Sequence, residues 1–357
     1  MTHKNHSEAP VSPGSRVNVF VAVPMPGESL CLINRVDPRV NLIYDERLVP
    51  KQRYTADRKG QPMEWTPEKE ARWLEHLRET DVMFGFDSRH MENLRELAPN
   101  LVWIQGTSTG IGSTVAEMGW ANHGIVTTSA SGIHSTPLAE FAMWAMLSFA
   151  KDMFHMNNLK RQHRFERYCT GQLRGKTLAV IGLGNVGSEV ARQGQALGMR
   201  VLGTKRTVAG VKPETLHVDK LYAPSDLKAM LAECDYLVVS VPATPEVFGL
   251  VNDEMLSVMK PGAVVINICR GTTVVESALI KHLQSGHLRG AALDVFEKEP
   301  LPPDSPLWDM ESVIISPHSA SCAEYEDINI TNLFIDNLKR FLDGRPLRNV
   351  IRPELQY

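Results

Sequence analysis

The chain has little of what most function classes require. It has 357 residues and no excess of one charge, with 38 Lys and Arg against 41 Asp and Glu for a net charge of −3. Its basic residues are scattered, so no basic field is on offer to nucleic acid. No apolar run approaches the length of a membrane span, and no membrane partner is expected. The first sixteen residues, "MTHKNHSEAPVSPGSR", contain no hydrophobic signal core and read as a flexible tail. Only five cysteines occur, Cys31, Cys169, Cys234, Cys269 and Cys322. Their odd number and lack of metal-type spacing point to reduced thiols in a cytoplasmic protein and to no metal centre. What remains is a globular composition, 43% hydrophobic and 22% charged, long enough for two domains with cores of their own.

Strand-like and helix-like segments alternate along the chain. "VNVFVAV" opens as a buried strand, "PEKEARWLEHLRE" (67–79) is an amphipathic helix, "VMFGF" is a strand, "MENLREL" is helical, and "LVWIQG" and "GIVTTS" follow as strands. A helix is expected from Thr136 to about Met153, apolar on more than one side, which fits burial between subunits or domains or a wholly internal helix. A second series begins at Gly175, with strands "KTLAVIGLG", "MRVLGT", "YLVVSVP", "AVVINI", "GAALDVF" and "SVIISPH" separated by helical stretches. A long helix is expected within 323–344, ending at Gly344. The fold class is therefore α/β, with two doubly wound parallel-sheet domains.

"VIGLGNVG" (180–187) carries three glycines spaced G-x-G-x-x-G between a strand and a helix. In that setting Gly182 permits a tight turn, Gly184 lets a pyrophosphate approach the backbone, and Gly187 lets helix and strand pack closely. Asn185 and Val186 open the helix whose N–H groups would meet the phosphates. A glycine turn with no ligand is the alternative. At the end of the next strand, where an NAD site places a carboxylate, the chain has Thr204, Lys205 and Arg206. Two cations there favour the extra phosphate of NADP(H), with NAD possible if the pair is simply solvated.

Further motifs follow in order: "VVSVPATPE", "MKPGAVVINICRG", "GAALDVFEKEPL" and "ISPHSA". Together with "GKTLAVIGLGNVG" they resemble the D-isomer-specific 2-hydroxyacid dehydrogenases from about Gly175 to His318. The resemblance implies an Arg–Glu–His reacting centre, and each member has a counterpart here. Arg270 matches the residue that holds the substrate carboxylate and polarises the neighbouring carbonyl. His318 matches the proton donor and acceptor, and Glu299 the carboxylate paired with it; Glu297 is the rival, two residues earlier. Asp294 matches a contact to the nicotinamide amide, with a turn-capping role as the alternative. Val241, Pro242 and Cys269 line the path of the cofactor in relatives, Cys269 as a packing residue and not a nucleophile. "GTSTGIGS" resembles the substrate loop, which makes Thr109 and Gly110 substrate-binding candidates.

The resemblance also implies a Rossmann-type cofactor domain, residues 136–319, inserted into a flavodoxin-like substrate domain made of 1–135 and 320–357. It further implies a homodimer and a cleft that closes over the reactants. The activity implied is hydride transfer between NADP(H) and a small 2-oxo or D-2-hydroxy acid, with glyoxylate and hydroxypyruvate as plausible substrates. An NAD-linked dehydrogenase and a nucleotide-sensing corepressor-like binding protein are the competing readings. Two departures stand out: Gly112 falls where many relatives are acidic, and "SASCAEY" follows His318 where they commonly show glycines and a threonine.

Overall fold

The structure is a computed structural model that describes residues 15–242, 244–352 and 354. Nearly all of the expected N-terminal tail lies outside the described residues. The chain divides into two compact units, one formed by residues 1–133 and 322–357, the other by 134–321.

In the first unit five strands form one sheet: β1 (Val17–Val21), β2 (Val40–Ile43), β3 (Val82–Phe84), β4 (Trp103–Gln105) and β5 (Val126–Thr128). Their order is β2-β1-β3-β4-β5, and every ladder is parallel. This is the flavodoxin-like order, with its switch point between β1 and β3. The helix Pro67–Glu79 has the bounds its pattern predicts: Thr66 caps it by accepting from Lys69 N, Pro67 occupies the first turn, and Trp73 and Leu77 are buried. The terminal helix Glu326–Leu342 packs on the same sheet, where Phe334 stacks on Phe84 at 4.4 Å and on Trp103 at 5.3 Å. Asn337 and Thr128 both donate to the buried Gln105 side-chain oxygen, which pairs these three polar side chains inside the unit.

The second unit holds seven strands: β6 (Thr177–Ile181), β7 (Arg200–Thr204), β8 (Lys220–Tyr222), β9 (Tyr236–Val239), β10 (Ala263–Asn267), β11 (Leu288–Leu293) and β12 (Val313–Ile315). Their order, β12-β11-β10-β9-β6-β7-β8, is wholly parallel and reverses direction between β6 and β9. That is the Rossmann order with one strand added at an edge. The central strands β6 and β10 are buried along their whole length, which accounts for their unbroken apolar sequences.

Two expectations need correction. The helix expected over 136–153 is Ser135–Ala150; the chain reverses at Asp152, where φ is +56°, and a separate helix runs Met153–Arg161. Its apolar excess is explained mainly within the unit: Ala142, Met146 and Phe149 are buried in the same core as β6, and Phe149 lies directly on Gly290 of β11. The stretch "MENLREL" is helical only over Leu94–Leu97. Five helices and strands have no counterpart in the sequence reading: the helices Gly27–Asn34, Gly112–Met118 and Met153–Arg161, and the edge strands β2 and β8.

Candidate active site

At the carboxyl end of β6 the three glycines have three separate reasons. Gly182 has φ +95°, and a Cβ there would sit 2.8 Å from the Ser240 carbonyl oxygen. A Cβ on Gly187 would fall 2.0 Å from the Gly182 carbonyl oxygen, so only hydrogen fits between helix and turn. A Cβ on Gly184 would meet nothing within 4 Å; that face of the turn is open. The helix Asn185–Ala196 starts there with no side-chain cap and no acidic residue in its first turn. The positive dipole end of this helix thus lies at the open face of Gly184, a cradle that fits a pyrophosphate.

β7 pairs along the same edge, and Gly182 N and Leu183 N both donate to the Thr204 carbonyl oxygen at its end. The Thr204 hydroxyl is buried and makes no hydrogen bond within the described residues. Lys205 and Arg206 follow, the first half-buried and the second exposed. No carboxylate follows β7 at the place an NAD-type ribose contact would need one. On the other side of β6, Ser240 Oγ donates to the Gly182 carbonyl at 2.8 Å, and Val241 and Pro242 lead away from β9.

The three residues expected to react stand past three neighbouring strands. Arg270 lies three residues beyond β10, Glu299 six beyond β11 and His318 three beyond β12. Parallel neighbours bring those ends onto one edge, about 5 Å apart per strand. His318 Nδ1 is 2.7 Å from Glu299 Oε2, and the other carboxylate oxygen of Glu299 accepts from Phe296 N at 3.1 Å. The imidazole therefore donates through Nδ1, leaving Nε2 for a reacting group. Glu297, the rival carboxylate, is engaged elsewhere: its Oε1 accepts from Glu276 N at 2.9 Å, at the start of the helix Glu276–Gln284.

Around Arg270 the backbone is tightly held. Asn267 donates to the Arg270 carbonyl at 3.1 Å and accepts from Cys269 N at 3.2 Å. A Cβ on Gly271 would lie 1.8 Å from the Phe296 carbonyl carbon, so this turn lies against the segment leading to Glu299. Cys269 is buried, with Sγ 3.2 Å from Asn267 Oδ1 and 3.5 Å from Thr273 Oγ1. Burial pushes its thiol upward from the ordinary range, which keeps it protonated and unreactive. No disulfide joins any of the five cysteines.

Asp294 shows a role that the sequence leaves half-stated. It is buried, and one oxygen, Oδ1, accepts from Ser316 Oγ at 2.6 Å, Ser319 N at 2.8 Å and Ala320 N at 2.9 Å. Those donors bracket His318, whose φ is +53°, an uncommon conformation for any residue but glycine. One carboxylate oxygen thus clamps the turn that aims the histidine, and burial raises the Asp294 carboxyl above its usual range. No spacing pattern announces this clamp, nor the service of Asn267 to Arg270. Both bond backbone groups, which carry no residue signature. Thr109 and Gly110 belong to the first unit, in the exposed loop between β4 and the helix Gly112–Met118.

A Rossmann sheet with a phosphate cradle, and an arginine and a carboxylate-paired histidine at neighbouring strand ends, define a nicotinamide-dependent oxidoreductase. Residues 143–320 match the family described as D-isomer specific 2-hydroxyacid dehydrogenase, NAD binding domain. The chain is 30% identical over 292 residues to a glyoxylate reductase from Aeropyrum pernix, covering 79% of this chain and 86% of that protein. It is 35% identical over 230 residues to a D-3-phosphoglycerate dehydrogenase from Archaeoglobus fulgidus, 64% of this chain but only 43% of that one. A crystal structure of a D-isomer specific 2-hydroxyacid dehydrogenase from Xanthobacter autotrophicus Py2 in complex with NADPH and MES superposes with a TM-score of 0.75, at 26% identity, over 96% of this chain and 100% of that one. The chain belongs to the D-isomer specific 2-hydroxyacid dehydrogenase family, oxidoreductases of CH–OH groups.

Proposed function

We propose that the chain reduces a small 2-oxo acid to its D-2-hydroxy acid, with NADPH preferred over NADH. The observation that carries this reading is the 2.7 Å contact of His318 with Glu299 on the strand-end edge that also bears Arg270. The Arg270 fork binds the substrate carboxylate and polarises the adjacent carbonyl. His318 delivers the proton to the carbonyl oxygen from Nε2 and takes it back in the reverse direction. Glu299 keeps Nδ1 as the donor and so fixes which nitrogen reacts. Asp294 holds the turn beneath. In relatives this residue meets the nicotinamide amide, and Asp294 Oδ2 is the oxygen left for that role.

The cofactor fits the open face of Gly184 and the uncapped helix, with Asn185, Val186 and Gly187 at the pyrophosphate and Val241, Pro242 and Cys269 along its path. When bound, it supplies the hydride. Lys205 and Arg206 stand where the ribose 2′-phosphate falls. Support for the cofactor preference comes from the absent carboxylate after β7 and from the NADPH bound by the Xanthobacter relative. Glyoxylate and hydroxypyruvate are the first substrates to test, given the glyoxylate reductase relative. A panel of 2-oxo acids, each with NADPH and NADH, tests the reading. Neutralising Lys205 and Arg206 together should raise KM for NADPH about tenfold or more and leave KM for NADH nearly unchanged. Equal changes for both would remove the 2′-phosphate assignment.

We also read the chain as a cytoplasmic homodimer. No helix among the described residues is long and apolar enough to cross a membrane. On the helix Ser135–Ala150, Trp144 is 46% exposed and Leu147 39%, and the Trp144 ring meets Phe141 at 5.6 Å. A second copy of the same face would cover these side chains. Sedimentation velocity should show a dimer that Trp144→Glu converts to monomer; a monomeric parent protein would end this reading.

A further inference from the structure

An ion pair joins the loop after β7 to the loop after β9. Arg206 Nη2 lies 3.7 Å from Glu246 Oε2, and the two side chains are 50% and 72% exposed. Arg206 is two residues beyond β7, and Glu246 sits in the short turn Pro245–Val247 that follows β9. The sheet order places β6 between those two strands, so the pair flanks the strand that ends in the glycines. A bridge this exposed contributes little to stability. Its place at the nucleotide edge gives it a different consequence.

We propose that Glu246 is a specificity-determining residue that competes with the ribose 2′-phosphate for the Arg206 guanidinium. The proposal rests on the reading of Lys205 and Arg206 as the 2′-phosphate site. A phosphate monoester brings about −1.5 to −2 charges and is recognised best by the arginine fork through two parallel hydrogen bonds. To offer that fork, Arg206 must turn from Glu246, and the released carboxylate then stands near a second anion. A ribose hydroxyl carries no charge and leaves the pair intact. The acid thus makes the preference for the phosphorylated cofactor graded, and it makes the preference depend on salt, since exposed charges are screened over about 8 Å at physiological ionic strength.

The test is calorimetric titration of the full chain with adenosine 2′,5′-bisphosphate and with adenosine 5′-monophosphate, for the parent protein, Glu246→Gln and Arg206→Gln. Glu246→Gln should bind the bisphosphate about threefold to tenfold more tightly, the size expected of like charges at a solvated surface. Its affinity for the monophosphate should not change, and the gain should shrink at about 0.5 M salt. Arg206→Gln should lose affinity for the bisphosphate alone. If Arg206→Gln behaves so but Glu246→Gln binds the bisphosphate no better, or binds both nucleotides better alike, the role of Glu246 is overturned and the phosphate site stands. If the parent protein and Arg206→Gln bind each nucleotide equally well, the 2′-phosphate reading fails, and this proposal with it.

Discussion

Replacing His318 by alanine should lower kcat by about a hundredfold or more, the usual worth of a positioned general acid, and leave nucleotide affinity unchanged. The separation of the two effects follows from the sheet. His318 stands past β12 at one edge, whereas the phosphate cradle follows β6, with β11, β10 and β9 between them. The substitution removes the hydrogen bond to Glu299, but that carboxylate is 37% exposed and keeps Phe296 N as a donor, so water can satisfy it and the fold should hold. Alanine at φ +53° carries some strain, yet the Asp294 clamp acts on Ser316, Ser319 and Ala320 and survives the change. Steady-state turnover with a reducible 2-oxo acid, set beside calorimetric titration of NADPH, measures both quantities. A variant with full turnover would mean that the proton comes from elsewhere, and the assignment of His318 would be lost.

The sequence makes some parts of this arrangement legible and hides others, for physical reasons. The helix Pro67–Glu79 can be read to both ends because a capping threonine, a proline in the first turn and an amphipathic stripe agree. The strands of the second unit declare themselves because central parallel strands are apolar on both faces. Edge strands lose that signal: β2 is four residues with Asn41 and Leu42 only half-buried, and β8 is three residues beginning at the exposed Lys220. The helix Gly27–Asn34 follows Pro26, which supplies no side-chain cap, so the capping signal that marks Pro67–Glu79 is missing here. The reversal at Asp152 is similarly silent, since a single residue in the left-handed region ends one helix and starts the next.

In the candidate site, the split is between the side chains to which we assign the chemistry and the groups that hold them in place. Arg270, Glu299 and His318 are legible through residue type and neighbouring motif. Glu299 differs from Glu297 in sequence by standing directly before Pro300, and each carboxylate has a distinct partner, His318 for one and Glu276 N for the other. The Asp294 clamp joins residues 25 and 26 positions apart through backbone N–H groups, and any residue type at 319 or 320 except proline could supply the donor. A contact of that kind leaves no trace in residue identity. The same holds for Asn267, which orders the turn carrying Arg270 chiefly through its backbone.

That last arrangement makes Arg270 the sharpest place to probe substrate recognition. Arg270→Lys should reduce kcat/KM by about tenfold to a hundredfold, through a raised KM and a lowered kcat together. The charge is kept, so the loss measures the fork: two charge-assisted hydrogen bonds, each worth about 1.5–3 kcal/mol, reduced to one point contact. The conformation of the turn should persist, because Asn267 holds the Arg270 carbonyl and the close approach of Gly271 to Phe296 does not involve the side chain. The one structural bond lost is that from Nη1 to the Cys269 carbonyl at 2.7 Å, which the lysine amine can replace in part. Nucleotide affinity, measured by the same titration used for His318→Ala, should therefore stay constant. A kcat/KM within about threefold of the parent value would show that a point charge suffices. The substrate carboxylate would then be held by groups other than this guanidinium, and the central assignment at β10 would have to be abandoned.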